Sequence, residues 1–298
     1  MFARFCTAIL LSFTLGLSLH AQDADPPEVT IGERLFLETR FAQFFAANSN
    51  GNANAVLATG DPVLDNTEMT GSPQVGPFKG QSMNCRACHL VDEQNATLGN
   101  RTYCDYARRS PIPDRGDGLT TTPRNSPPLV NASLGRPGGI LLHFDGQFAS
   151  GRDLAVATLS GRNYGWLPME KPQAIAHIAH IIRDDDGAGD LASGAGGPYR
   201  KVLKGTSADL PAELRLPVGF RIDVMHATDK QIVVAIGRLI EAYMRSLEFS
   251  RNGAGANIGS PFDVFLSRNN AVVVAKFAVI AFGGVRVLGQ LHCSWEKG

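Results

Sequence analysis

Cysteine is scarce in this chain, and paired cysteine scarcer. Five cysteines occur in 298 residues, and a C-x-x-C spacing occurs once, at Cys85 and Cys88. The lack of a second close pair removes the usual framework of a structural zinc site, which draws four ligands from two such pairs. An excess of one charge is also lacking: Lys+Arg and Asp+Glu are balanced at 28 each. That balance gives no reason to expect nucleic acid or a membrane surface as partner. No apolar run approaches the roughly 20 residues that a membrane span needs. Strand-like alternation is rare and short, no fixed-period repeat stands out, and no thioredoxin-like βαβ pattern surrounds the cysteine pair.

What is present begins at the N-terminus. Arg4 is the only charge before an apolar stretch from Ile9 to Leu19, and Ala21 offers a small residue before Gln22. A positive start, a short apolar core and a small residue at the cut form the layout of a secretory signal peptide. The reading is a signal over residues 1–21 and a mature chain exported to the periplasm. Cys6 leaves with the signal, and Cys104 and Cys293 remain as isolated singles.

The stretch "CRACH" places Cys85, Cys88 and His89 at i, i+3 and i+4. On one helical turn those positions share a face. Two thiols there can form thioethers to a porphyrin edge while the imidazole sits under the iron. A zinc half-site and a redox dithiol stay open as alternatives, but in an exported chain covalent haem c asks for no residue beyond these.

With Gly 32 and Pro 17, long loops are expected, among them residues 46–84 and 101–139. Thr30-Ile31-Gly32-Glu33 reads as a capping box ahead of Leu35, Phe36 and Phe44. A helix over Lys171 to Arg183 opens with Pro172 and carries Ile175, Ile178 and Ile182 on one face. Thr228-Asp229-Lys230-Gln231 is a second capping box, leading a stripe of Ile232, Ile236, Leu239, Tyr243 and Leu247. The expected class is mainly α, a cytochrome c-like haem domain with long loops. His177 and His180 project opposite the isoleucine stripe and read as a solvated face. Asp184-Asp185-Asp186 reads as a charged helix end, with calcium as the lesser alternative. Cys104 reads as a small buried side chain, and His143 as a packed or distal-pocket residue.

These stretches resemble the bacterial di-haem cytochrome c peroxidases and their methylamine-utilisation (MauG-type) relatives. "GERLFLETRFA" resembles the family's opening segment and "CRACH" its first haem site. "RNSPPLVNASL" with "LHFDGQFAS", and then "LPMEKP", resemble its central elements. "SLEFSRNGAGANIGSPFDVFL" is similar to the segment entering the second haem domain. The resemblance spans about residues 31–266. It implies an N-terminal haem domain over residues 22–255 and the start of a second cytochrome c-like domain over 256–298. It also implies His89 as proximal ligand, Asn125 as a ligand of an inter-haem calcium, and Glu170 as the distal acid–base group. Trp166 and Arg162 would then stack on the ring or pair a propionate, with ordinary packing the alternative.

Hydrogen peroxide is the implied substrate. A small cytochrome or cupredoxin is the implied electron donor, and a homodimer is among the assemblies implied. The departures are specific. Phe144 replaces the family's inter-haem tryptophan, the distal glutamine has no counterpart between Phe148 and Pro172, and no histidine lies between His89 and His143. The sixth haem position is therefore expected to be at least partly open. "GGVRVLGQLHCSWEKG" approaches a second haem site, but Glu296 and Lys297 stand where Cys and His belong. A truncated or frameshifted end and a single-haem protein both account for that. A mono-haem electron carrier and a MauG-type oxidase of a protein side chain remain alternative functions.

Overall fold

A computed structural model describes residues 25–66, 82–89, 109–133, 139, 141–143 and 145–248. The segments read as signal peptide and second haem domain, together with Cys104, Phe144 and Cys293, lie outside the described residues. Within them the chain is mainly helical, with one two-stranded antiparallel sheet, β1 (Arg109–Pro111) and β2 (Thr121–Asn125).

The longest helix organises the rest. α7 (Asp229–Ser246) starts where its sequence says: Thr228 Oγ1 accepts from Gln231 N, and Gln231 Oε1 accepts from Thr228 N at 2.8 Å. That reciprocal pair satisfies two donors at the helix start. The stripe Ile232, Ile236, Leu239, Tyr243 and Leu247 is buried throughout. Each such side chain contributes at most about 1.5–3 kcal/mol on burial. The stripe is wide enough to take three partners: α1 (Pro27–Phe36), α3 (Gly151–Leu159) and α4 (Lys171–Asp184) all pack on α7. Two glycines permit the crossings. A Cβ on Gly32 of α1 would stand 2.2 Å from the Leu239 carbonyl oxygen, and one on Gly237 would stand 2.9 Å from that of Arg152.

α1 departs from expectation. It begins at Pro27, a turn before the supposed capping box, and the Pro26 carbonyl accepts from Val29 N and Thr30 N. Proline at the first helical position needs no N–H partner and has a helical φ already, so the start moves upstream. Thr30 is thus inside the helix, and Phe44 belongs to a separate short helix, α2 (Gln43–Asn48). α4 agrees with its pattern: Ile178 and Ile182 are fully buried and Ile175 packs at the core edge, with Ile181 joining them. Two short helices follow, α5 (Asp190–Gly194) and α6 (Tyr199–Lys204).

The charged helix end lies where the sequence puts it, with α4 ending at Asp184, but its middle aspartate is turned inward. Asp185 is buried, its carboxylate between two arginines: Arg34 Nη2 meets Oδ2 and Arg40 Nη1 meets Oδ1, both at 3.0 Å. Tyr199 N donates to the same Oδ2, and Arg34 lies 3.8 Å over the Tyr199 ring. Both oxygens of Asp185 are thus engaged by guanidinium groups.

The solvated-face reading fails for His177 for a related reason. Its Nε2 donates to the Arg40 carbonyl at 2.7 Å, and its ring sits near Phe45 and Trp166. Burial holds its pKa below the ordinary value. His180 is at the surface, bonded to Asp184 and to the Gly51 carbonyl. Among the described residues, no group of three His, Cys, Asp or Glu forms at either histidine.

Asp185→Ala would leave two buried guanidinium groups without their shared carboxylate, and a loss of about 3–5 kcal/mol is expected in denaturant unfolding. The same network sets an acid limit. Burial opposes ionisation of Glu38, but the charge and hydrogen bonds of Arg40 and the Tyr199 hydroxyl outweigh it and hold the pKa below 4.5. Ionised Glu38 therefore stabilises the fold fully above about pH 4.5, and that contribution disappears as pH falls through its lowered folded-state pKa. Melting temperatures of Glu38→Gln and parent should converge in acid and separate above pH 5.

Candidate functional site

Asn84 sets the cysteine turn. Its backbone is extended, its Oδ1 accepts from Ala87 N at 3.0 Å, and its Nδ2 donates to the Leu37 carbonyl at 2.8 Å. The side chain both caps the turn and ties it to the end of α1. Cys85–Ala87 then forms one 3-10 turn, and the Cys85 carbonyl accepts from Cys88 N and His89 N at 3.1 and 3.0 Å. The i to i+4 bond brings His89 onto the side of Cys85, as the spacing predicts. Residues 90–108 lie outside the described residues.

Cys85, Cys88 and His89 line one cavity of about 360 Å³, within the range that ligand pockets occupy. Its lining includes apolar side chains from three helices, Phe36, Leu159, Ile240 and Met244, and the polar Arg124, Asp145, Gln147, Asn163 and His143, of which Arg124 and Asp145 are paired. The two cysteines are free thiols. Cys85 Sγ lies 3.1 Å from the Tyr164 hydroxyl, and burial pushes its pKa up to about 12.

Burial likewise lowers the His89 pKa to about 4, partly opposed by a hydrogen bond with the Pro127 backbone. Proline has no N–H, so the Pro127 carbonyl accepts and the imidazole donates. His89 is therefore neutral at ordinary pH. The residues present thus fit covalent haem. They fit the alternatives less well: a reactive dithiol needs a lowered thiol pKa, and among the described residues no three His, Cys, Asp or Glu groups gather as a metal cage.

The other expected site residues lie apart. Glu170 does not line the cavity. Its carboxylate takes a two-pronged bond from Arg115, at 2.7 and 3.0 Å, and accepts from Leu167 N at 2.8 Å. The Arg115 contact, then the Leu167 amide, hold it ionised, with its pKa lowered. Asn125 ends β2 opposite Arg109, and its side chain lies outside the described residues. Arg162 pairs with Asp117, and Trp166 is buried with Nε1 donating to the Phe41 carbonyl, so packing accounts for both. Met169 and Met225 are exposed, whereas Met244 lines the cavity.

Tyr164, Pro127 and Gln147 carried no local signal. The first two become functional only through contacts across the fold with the cysteine turn. Compared with protein-family models, curated proteins and solved structures, the chain finds no match.

The high Cys85 pKa has a measurable consequence. In protein made without the prosthetic group, iodoacetamide at pH 8 should alkylate Cys85 about 10²-fold or more slowly than in the urea-unfolded chain, where the thiol titrates near 8.5. Mass spectrometry of timed, quenched samples reads this, and equal rates would show an accessible, thiolate-forming Cys85.

Proposed function

We propose that this chain is an exported c-type haem protein that reduces hydrogen peroxide with electrons from a small redox protein. The observation that carries the haem assignment is the joint placement of Cys85, Cys88 and a neutral, carbonyl-anchored His89 around one cavity. The peroxidase assignment rests on the resemblance of residues 31–266 to the di-haem peroxidases. When bound, the haem would supply an iron that accepts peroxide and passes on electrons.

The chain's own part can be stated residue by residue. Cys85 and Cys88 would hold the haem covalently, and His89, whose ring contacts the Pro127 backbone, would supply a ligand to its iron. Apolar side chains of α3 and α7 at the cavity would keep water from the bound group. Glu170 is assigned proton transfer on the resemblance, and its ionised state suits a group that first removes a proton from peroxide. Asn125 is kept as the calcium ligand on the same ground.

A mono-haem electron carrier is the second reading. It is favoured by His143 and Met244, which line the same cavity as His89 and offer nitrogen and sulfur ligands.

Protein secreted with a haem-attachment system should stay coloured on a denaturing gel, carry one haem mass, and lose the colour in Cys85→Ala/Cys88→Ala. Colour that extracts into acid–acetone would remove the assignment. Peroxide-dependent oxidation of a reduced small cytochrome separates the two functions, since a carrier exchanges electrons without consuming peroxide.

Glu170→Gln should slow peroxide consumption by about 10²-fold while leaving the resting spectrum unchanged. A rate equal to the parent's would reduce Glu170 to a strut for Arg115.

A further inference from the structure

The residue that follows the first cysteine of the turn is a buried arginine. Arg86 is only 6% exposed and its Nε is shut off from solvent. Unlike Cys85, Cys88 and His89, it does not line the cavity. Its side chain meets instead the seam between α1 and α7, where Tyr243 and Glu33 bear on its charge. That seam is tight at the same place. A Cβ on Gly32 would stand 3.0 Å from the Tyr243 Cβ, and the rings of Phe36 and Tyr243 lie 5.1 Å apart, with Phe36 itself on the cavity.

A guanidinium stays protonated in proteins, and taking it out of water is costly unless charge comes to meet it. Burial pulls the Arg86 pKa down, and Tyr243 and Glu33 oppose that only in part. The contrast with the Asp185 network is informative. Arg34 and Arg40 share two buried carboxylates, Asp185 and Glu38, so their charges cancel. Glu33 is half-buried, and water screens its charge more than that of Arg86. The space behind the cysteine turn therefore keeps a net positive field. Shaping the turn does not call for that charge, because Asn84 already caps it and ties it to Leu37. An apolar side chain would pack on the seam at less cost.

We infer that Arg86 is a fixed internal cation that makes the haem held at Cys85 and Cys88 easier to reduce. The inference rests on the haem assignment above. Ferric haem carries one more positive charge than ferrous haem, so a cation held out of water at the attachment turn disfavours the ferric state. One electron enters from the small redox protein and no bond forms or breaks. Burial and local dielectric are among the levers by which a protein sets a haem potential. Arg86 acts through its field, since it does not line the cavity.

The test is a redox titration of the secreted, haem-loaded chain, followed by absorption. Arg86→Gln should lower the midpoint potential by the equivalent of about a tenfold change in the one-electron equilibrium, about 59 mV. Arg86→Lys keeps the charge and should stay near the parent, although both substitutions lose the planar guanidinium and should lower the melting temperature. The Arg86→Gln difference should persist from about 0.01 to 1 M ionic strength, because buried charges are screened far less than exposed ones. Glu33→Gln removes the opposing charge and should raise the potential. Being half-buried on α1, Glu33 tolerates the change, so this variant decides the matter alone where Arg86→Gln does not fold. An unmoved potential in Arg86→Gln or in Glu33→Gln would overturn the inference. A fall in Arg86→Lys as large as that in Arg86→Gln would also overturn it, leaving Arg86 a packing strut. A chain that carries no haem mass would overturn the haem reading itself, whereas a coloured protein with unmoved potentials removes only the role of Arg86.

Discussion

The position of the cysteine turn depends on one buried carboxylate some distance from it. Asp185 holds Arg34 on α1 and Arg40 on the segment that follows, and through its Oδ2 also the backbone at Tyr199. Glu38 completes the knot by bonding Arg40 and Tyr199. The chain from Leu37 to Phe41 has no helix or strand to define it, so these side chains define it instead. Leu37, in that stretch, offers the carbonyl on which Asn84 hangs, and Asn84 caps the turn bearing Cys85. Removing buried charge partners is costly because the remaining charges cannot rehydrate. A polar network of this kind therefore fixes one loop geometry more sharply than apolar packing would, and the attachment thiols inherit that geometry.

Dryness at the turn selects among the chemistries that C-x-x-C-H allows. The same burial that raises the Cys85 pKa lowers that of His89, because a low-dielectric setting disfavours both the thiolate and the imidazolium. Neutral thiol and neutral imidazole are poor equipment for disulfide exchange. Tyr164, fully buried with its hydroxyl on Cys85 Sγ, fills the space behind the thiol and turns it toward the cavity.

How much of this was legible in sequence follows from the range of each interaction. α7 was legible because its cap and its stripe both act within four residues. The cysteine turn was legible for the same reason. α1 was misplaced by a turn because Pro26-Pro27 competes with Thr30 as a start, and the local pattern of Thr30 to Glu33 satisfies the capping rule without satisfying its geometry. His177 reads as solvent-facing because a helical wheel shows which side faces away from the isoleucines but not that Arg40 comes to meet it. In the site, Pro127, Tyr164 and Gln147 have no individual signature, since a proline carbonyl, a phenol and an amide acquire roles only from what the fold sets beside them.

The two sides of the cavity are held by different physics. One side is helix on helix, α1, α3 and α7 sharing a buried apolar seam in which Gly32 and Gly237 allow backbones nearly to touch. The turns before and after α3 carry ion pairs at or near the surface, Arg115 with Glu170, Arg162 with Asp117 and Arg124 with Asp145, and the last of these lines the cavity. Exposed pairs are individually worth about 0–1 kcal/mol and weaken with salt, whereas the seam responds to neither. Asn163 and Tyr164 sit between two of those pairs, and His143 lies next to the third. The helix seam is therefore insensitive to salt, whereas the turns that carry those ion pairs are the part of the surroundings that ionic strength can loosen.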